Sequence, residues 1–359
     1  MLNHKIQIKA LKAGNGDCFL ISYFGNNRKR VNILIDGGNG FDTYKKHIRT
    51  EIQSRIKKKQ VIDLLIITHI DQDHIKGIIY LTKDIIDTGH YIKASSITKY
   101  WFNSAHTCKL EQTARETFDV SENEMKALEK YLHTLPDEQW DIRYKIHSPM
   151  VMELYGARIT ILSPTSDRLH QFEETFGAND IGDYGNDYKN TIEKLIRIET
   201  ELFLKKQEDL DTKLQNATSI AFLFEHEKKS ILFMGDAIPE VIDRAIEQLI
   251  LARKLPKLKV DIIKLSHHAS RKSISMKFLE LVECDKFIIS TNGKKANLPN
   301  KSALAKVLGH RGREIQKPIT FYFNYPDLST ALNFIDEEKD NYNFSCSNAN
   351  YENGYCLTI

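Results

Sequence analysis

Leu64-Leu-Ile-Ile-Thr68-His69-Ile-Asp71-Gln-Asp73-His74-Ile-Lys76-Gly77 is the stretch on which the fold turns. Its first half belongs to a short apolar run, Val61 to Thr68, of strand length. A run that is apolar without alternating reads as a strand covered on both faces, so it predicts a sheet with layers packed on either side. Its second half places two imidazoles and two carboxylates, His69, Asp71, Asp73 and His74, within six residues directly beyond the strand. On a turn at a sheet edge such side chains can converge, and imidazole with carboxylate is a donor set for divalent ions, here enough for two half-sites. Two ions a few ångströms apart bring a bridging water from 15.7 towards a pKa of about 7 and stabilise charge on a phosphorane or tetrahedral intermediate. Hydrolysis is the reaction class this predicts.

Outward from that stretch, the first forty residues read as an antiparallel meander. Ile6 to Ala10, Cys18 to Phe24 and Val31 to Ile35 are strand-like, separated by turn signals at Gly14-Asn-Gly16 and Gly25-Asn-Asn27. Residues 41 to 59 are polar and helix-compatible, and a helix is expected after His74. Ile92 to Phe102 alternates as a strand would, and residues 120 to 134 open on a Ser-x-x-Glu capping pattern. Ala157 to Leu162 is a strand. A long, charged, helix-prone excursion covers residues 186 to 215, within a broader insertion of about 165 to 215. Strands return at Ser219 to Glu225 and Ser230 to Met234, followed by a helix over 239 to 253 and strands at Val260 to Leu265 and Lys286 to Ser290. Two groups of strands, each followed by helices and without a short internal repeat, fit an α/β (α+β) chain folded as a four-layer αββα sandwich. Residues 1–317 are read as one domain and 318–359, rich in Asn, Tyr and Phe, as a C-terminal extension of extra strands packed on it.

Composition bounds the alternatives. The chain has 359 residues, 41% of them hydrophobic and 28% charged, the balance of a folded globular protein. No run approaches the roughly 18–20 apolar residues of a membrane span, and the start lacks the apolar core of a signal peptide, so a cytoplasmic location is expected with no membrane partner. Five cysteines, Cys18, Cys108, Cys284, Cys346 and Cys356, are an odd number without CxxC or CxxH spacing, which argues against a disulfide framework or a thiolate zinc knuckle. The net charge of +3 says nothing about nucleic acid by itself, but basic runs occur at Arg28-Lys29-Arg30, Arg55 to Lys59, Arg271-Lys272, Lys294-Lys295 and Arg311 to Arg313.

The ligand run resembles the HxHxDH hallmark of metallo-β-lactamase-fold hydrolases, and more narrowly the HxDxDH variant of the hydrolase domain in ComEC-type DNA-uptake channel proteins. Further landmarks of that group are similar in order: Ala13-Gly-Asn-Gly16-Asp17-Cys18, Asn32-Ile-Leu-Ile-Asp36-Gly37-Gly38, Asn216-x-x-Ser219-Ile220, Phe233-Met-Gly235-Asp236 and Lys264-Leu-Ser-His267-His268-Ala-Ser270. They span roughly residues 5 to 300. The resemblance implies two divalent ions, Zn²⁺ or Mn²⁺. His69 and Asp71 would bind one ion, with His106 in Trp101-Phe-Asn103-Ser-Ala-His106 as the third ligand and His90 or His133 as weaker substitutes on spacing. Asp73, His74 and His267 would bind the other, and Asp236 would bridge them. Asp71, standing where a histidine is usual, adds a hard oxygen donor that shifts preference towards Mn²⁺.

His267 and His268 compete for the last ligand position. His267 is preferred, which leaves His268 either to support a ligand from behind or to face the substrate, there as the acid that protonates the leaving group. Asp36 resembles the group's buried, bracing carboxylate. Asp73 and Lys76 join His268 as candidate catalytic residues, Lys76 by facing a substrate phosphate where the family has a second glycine. The family's downstream His-Pro is replaced by Asn297-Leu298-Pro299-Asn300, so its substrate contacts do not transfer. Lys264, Ser270, Arg271, Lys272, Ser273 and Asn292 lie on segments expected around the pocket and would suit a phosphodiester. The expected function is therefore a phosphodiesterase or nuclease acting on nucleic acid. The alternatives are a hydrolase of small esters, lactones or phosphorylcholine-type compounds, and a metal-binding regulatory subunit that needs a protein partner.

Overall fold

The computed structural model describes residues 5–87, 91–104, 120–175 and 185–359. Its strands in chain order are β1 (Gln7–Leu11), β2 (Phe19–Phe24), β3 (Arg30–Ile35), β4 (Leu64–Ile66), β5 (Tyr100–Trp101), β6 (Val151–Leu154), β7 (Ala157–Ser163), β8 (Ala221–His226), β9 (Lys229–Phe233), β10 (Leu258–Lys259), β11 (Ile262–Lys264), β12 (Val282–Glu283), β13 (Lys286–Ile289), β14 (Ile319–Phe323), β15 (Phe344–Ser347) and β16 (Gly354–Thr358). One six-stranded sheet runs β16-β1-β2-β3-β4-β5 and one eight-stranded sheet runs β15-β14-β13-β11-β9-β8-β7-β6, with β10 and β12 as a small separate pair. In each sheet an antiparallel meander gives way to parallel strands: β3, β4 and β5 in the first, β9, β11, β13, β14 and β15 in the second.

The side-chain alternation of the central strands explains the layers. Leu64 and Ile66 of β4 join Ile33 and Ile35 of β3 in an apolar core shared with Phe222 and Phe224 of β8, Ile231 and Phe233 of β9 and Ile262 of β11, so this core lies between the two sheets. Leu65 and Ile67, one residue out of phase, pack with Leu34 against Ile75 and Ile78 of the helix Gln72–Ile86. On the other sheet Leu223, Leu232 and Ile263 pack with Ile242 and Ile246 of the helix Pro239–Arg253. Both faces of the central strands are thus apolar because both are covered, and the result is the four-layer αββα sandwich that the sequence resemblance implies.

Some local expectations change. Ile92 to Phe102 yields only the two residues of β5, preceded by a 3₁₀ turn at Ala94–Ser96. Lys93, Ala94 and Ser95 are exposed, so the buried Ile92 and Ile97 form no continuous strand face. The excursion over 186 to 215 is two helices, Ile192–Leu204 and Leu214–Ala217, joined by an irregular segment. Beyond residue 318 the chain supplies β14 and β15 to the second sheet and β16 to the first, where β16 pairs along all of β1. Among the described residues no helix is long and apolar enough to cross a membrane.

Candidate metal centre

The strand ends converge where the two sheets open at the carboxyl ends of β3, β4, β9, β11 and β13. Asp36 follows β3, Thr68 and His69 follow β4, Asp236 follows β9, His267 and His268 follow β11, and Ser290 follows β13. A main-chain hydrogen bond from Ile220 N to Thr68 O, 2.9 Å, ties the two sheets together at this edge. Asp71 is the N-cap of the helix Gln72–Ile86, but its side chain makes no capping bond and stands 3.7 Å from His69 Nε2. Asp73 and His74 lie in the first turn of the same helix, where the helix dipole favours a carboxylate.

Among the described residues four imidazoles surround one carboxylate oxygen. Asp236 Oδ2 is 3.4 Å from His74 Nε2 and 3.8 Å from the Nε2 atoms of His69, His267 and His268. Each ring is held through its other nitrogen. His74 Nδ1 donates to Asp36 Oδ2 at 2.8 Å, His268 Nδ1 donates to the Ser290 carbonyl at 2.8 Å, and His69 Nδ1 lies 3.0 Å from Thr68 Oγ1. His267 Nδ1 is 3.4 Å from Asp211 Oδ2 and 3.3 Å from Ser273 Oγ. Holding a ring by Nδ1 fixes the tautomer and presents Nε2 as the donor atom. Among the described residues the buried Nε2 atoms of His69, His74 and His268 find no hydrogen-bond partner, and neither does Asp236 Oδ1. Buried polar atoms without partners are costly, so several facing one another mark a place built for something that binds them.

Within this cluster His69, His74 and Asp236 offer ligand atoms within 4.8 Å of one another, and so do Asp73, His74 and His268. His268, with Nε2 3.5 Å from Asp73 Oδ2, occupies the place expected of His267 beside Asp73 and His74. His267 and His268 do not compete for one position, because both face the cluster, and the reason lies in the backbone. Both are in left-handed conformation, φ 46° and 55°, and this turns both rings inward. His267 reaches Asp236 Oδ2 with its Nε2 at 3.8 Å while its Nδ1 faces Asp211. His106 and His90 lie outside the described residues, and His133 is exposed, its ring edge-on to Trp140.

Asp36 is fully buried and accepts from Thr68 N (2.7 Å), Thr68 Oγ1 (2.8 Å) and His74 Nδ1, which braces the ligand turn to the end of β3. The other expected contacts are mostly engaged elsewhere. Lys76 turns to Glu124, at 3.6 Å, which places its ammonium on the helix Val120–Leu132. Arg271 bonds Glu199, Lys272 pairs with Asp209, Ser270 accepts from Lys272 N and Asn292 accepts from Lys294 N. Lys264 is buried beneath the cluster, bonded to Asp17 and to the Gly235 carbonyl.

Sequence reasoning assigned no role to Asn15, Asp17, Asp211 or Lys295. Asn15 Nδ2 donates to Asp73 Oδ2 at 2.7 Å, Asp17 lies 3.3 Å from His268 Nδ1, and the exposed Lys295 reaches to 4.0 Å from Asp73 Oδ2. Asp17 belongs to the landmark Ala13 to Cys18 and Lys295 to the basic pair Lys294-Lys295. Asp211, in the charged excursion, carried no distinguishing signal.

The centre is strongly electronegative: among the described residues Asp17, Asp36, Asp71, Asp73 and Asp236 meet one buried fixed cation, Lys264. Burial disfavours charge on His268, but Asp236 and Asp17 outweigh it and push its pKa up to about 9. His74 is likewise raised against its burial, by Asp236 and Asp36. Burial raises the carboxyls, yet the facing imidazoles hold Asp236 and Asp73 well below the usual range, and Lys264 with His268 brings Asp17 down to about 2. Protons and metal cations therefore compete for one electron-rich cluster.

No protein-family model and no curated protein matches the chain. Among solved structures it is similar to the metallo-β-lactamase fold protein YhfI from Bacillus subtilis, with 9% identity, 98% of this chain and 99% of that one covered, and a TM-score of 0.42. It is also similar to Zn²⁺-bound PqqB from Methylobacterium extorquens, with 10% identity, 98% and 99% covered, TM-score 0.37. For CmlA, a diiron β-hydroxylase from Streptomyces venezuelae, identity is 9%, coverage 99% of this chain and 54% of that one, and the TM-score 0.41, so this chain spans about half its length. At these TM-scores no chemistry carries across, and what the centre can do follows from its own residues.

Proposed function

We propose that the chain is a hydrolase that uses two divalent cations and acts on phosphodiesters, with nucleic acid as the substrate class, in keeping with the HxDxDH resemblance. The observation that carries this reading is the set of imidazole Nε2 atoms, each ring fixed through Nδ1, that gathers around Asp236 Oδ2 with Asp71 and Asp73 at the rim. His69, Asp71 and His267 would hold one cation, Asp73, His74 and His268 the other, and Asp236 would be shared. His267 thereby takes the seat expected of His106. Nitrogen and oxygen donors without thiolate suit Zn²⁺ or Mn²⁺. Such ions supply hydroxide at neutral pH and stabilise charge on the reacting oxygens.

The chain's own residues do the rest. Asp36, Ser290 and Thr68 fix ring orientation, and Asn15 holds Asp73 Oδ2. Lys295 stands over the Asp73 side and supplies the exposed cation that a phosphodiester's oxygens require. The test is hydrolysis of bis(p-nitrophenyl) phosphate and labelled single-stranded DNA against p-nitrophenyl butyrate, with Mn²⁺ or Zn²⁺ added. Diester cleavage that disappears in Asp73→Ala supports the reading. Cleavage of the carboxylic ester alone would replace it with small-ester hydrolysis.

A further inference from the structure

The end of the first sheet opposite the metal centre carries a cavity of about 970 Å³, within the range of small-molecule sites. It opens where β3 and β4 begin. Two basic runs far apart in sequence meet there: Lys29 and Arg30 at the start of β3, and Arg55, Lys58 and Lys59 at the end of the helix Arg49–Lys57, with Lys9 of β1 alongside. Six cations thus line a cavity that contains two carboxylates, Glu51 and Asp63. Both carboxylates are already engaged. Glu51 takes Lys9 at 2.8 Å and Arg55 at 3.6 Å, and Asp63 accepts from Asn32 N at 2.8 Å.

Among the described residues Arg30 has no carboxylate partner. Its guanidinium lies 5.1 Å from the Phe24 ring centroid, and its pKa is lowered by burial and by the neighbouring charge of Arg55. Two arginines brought together beside spoken-for acids make an electropositive hollow, and planar guanidinium forks favour phosphate oxygens. Tyr155, at the turn between β6 and β7, adds a half-exposed aromatic wall.

We propose that this cavity is a nucleotide site, with phosphate oxygens between Arg30 and the Arg55 to Lys59 run and the base against Tyr155. It lies at the other end of β3 from Asp36, about 20 Å along a six-residue strand, so it is separate from the metal centre and its occupancy does not depend on hydrolysis. The ligand is either a free nucleotide or one nucleotide of a strand, and the same chemistry serves both.

The test is calorimetric titration of the full chain with ATP, with a short oligo-dT and with inorganic pyrophosphate, on wild type, Arg30→Gln, Lys58→Glu and Tyr155→Ala. Circular dichroism and metal content establish that each variant is folded. Lys58 is exposed, so its variant guards against a loss that merely reports unfolding. The expected result is ATP binding that weakens about tenfold in Arg30→Gln, the loss of one charge-assisted contact, and by at least about tenfold in Lys58→Glu, which also sets a negative charge against the phosphate. Tyr155→Ala should weaken ATP by a similar factor and leave pyrophosphate unchanged. Tighter binding of oligo-dT than of ATP, with the same variant sensitivities, identifies the strand as the source. No ATP or oligo-dT binding, binding indifferent to Arg30 and Lys58, or pyrophosphate binding as tightly as ATP with no effect of Tyr155 would each overturn the assignment.

Discussion

Adding one methyl group at Gly77 is expected to dismantle the metal centre from outside it. The helix Gln72–Ile86 docks its first turns directly on the turn that follows β3. Gly37 N donates to His74 O at 2.7 Å and Gly77 N donates to Gly38 O at 3.1 Å. A Cβ at Gly77 would lie 1.7 Å from Gly37 O and 2.6 Å from its carbonyl carbon, both backbone atoms that cannot swing aside. Reaching even the 3.0 Å floor of real Cβ contacts requires a separation of about 1.3 Å between helix and turn. Asp73 and His74 ride on that helix, and His74 is anchored across the same gap by its 2.8 Å bond to Asp36. Overpacking of this kind costs about 1–3 kcal/mol, and losing an orienting partner costs about 10–100-fold in metal affinity. A displacement near 1 Å at reacting groups costs about 10²-fold in rate. Denaturant unfolding, metal titration and diester hydrolysis on Gly77→Ala should show all three losses. Gly185→Ala, where a Cβ meets nothing within 4 Å, should show none. Wild-type metal affinity in Gly77→Ala would refute the claim that this close approach sets the ligand geometry.

Other outcomes follow from the same structure. His267→Ala should lose about one equivalent of bound metal, measured by elemental analysis after gel filtration, whereas His106→Ala should keep both; the opposite pattern returns the third-ligand role to His106. Lys295→Ala should raise KM for a phosphodiester several-fold in a salt-sensitive way and leave KM for a neutral ester unchanged, since its side chain is 57% exposed and acts through charge alone. Asp243, buried on the helix Pro239–Arg253 and accepting from Ser275 Oγ, has its carboxyl pushed up to about 7, chiefly by burial. A raised folded-state value means that the native state holds the proton more tightly. Its stabilisation is therefore complete below the unfolded value of 3.8 and is lost as pH rises through about 7, an effect on the order of a few kcal/mol. Unfolding free energy should thus fall more steeply between about pH 4 and 8 in wild type than in Asp243→Asn, and parallel profiles would contradict this.

Much of this was legible because the central strands alternate between two buried faces. Leu64, Leu65, Ile66 and Ile67 announce a doubly covered strand by being apolar without interruption, and that alone places His69 and His74 at a sheet edge. Asp236 and the two histidines after β11 were equally visible, each standing at the end of an apolar run. What stayed hidden depends on backbone conformation and on non-local approach. Nothing in the letters His267-His268 tells that both adopt positive φ and so both face inward, or that His268 rather than His267 lies beside Asp73. Lys264 and Arg271 looked like substrate contacts because charge in sequence does not reveal burial. One sits beneath the cluster against Asp17, the other pairs with Glu199. The convergence of residues 29–30 with 55–59 was invisible for the same reason: only the parallel pairing of β3 with β4 brings them to one sheet end.

The most direct test of the central claim is metal stoichiometry at neutral pH, by elemental analysis of the purified full chain dialysed against Mn²⁺ or Zn²⁺, for wild type and Asp236→Ala. About two equivalents in wild type and a loss of metal in Asp236→Ala are expected, because among the described residues four imidazoles face Asp236 Oδ2. Wild-type protein that binds no metal, or Asp236→Ala protein that retains both equivalents, would contradict the account.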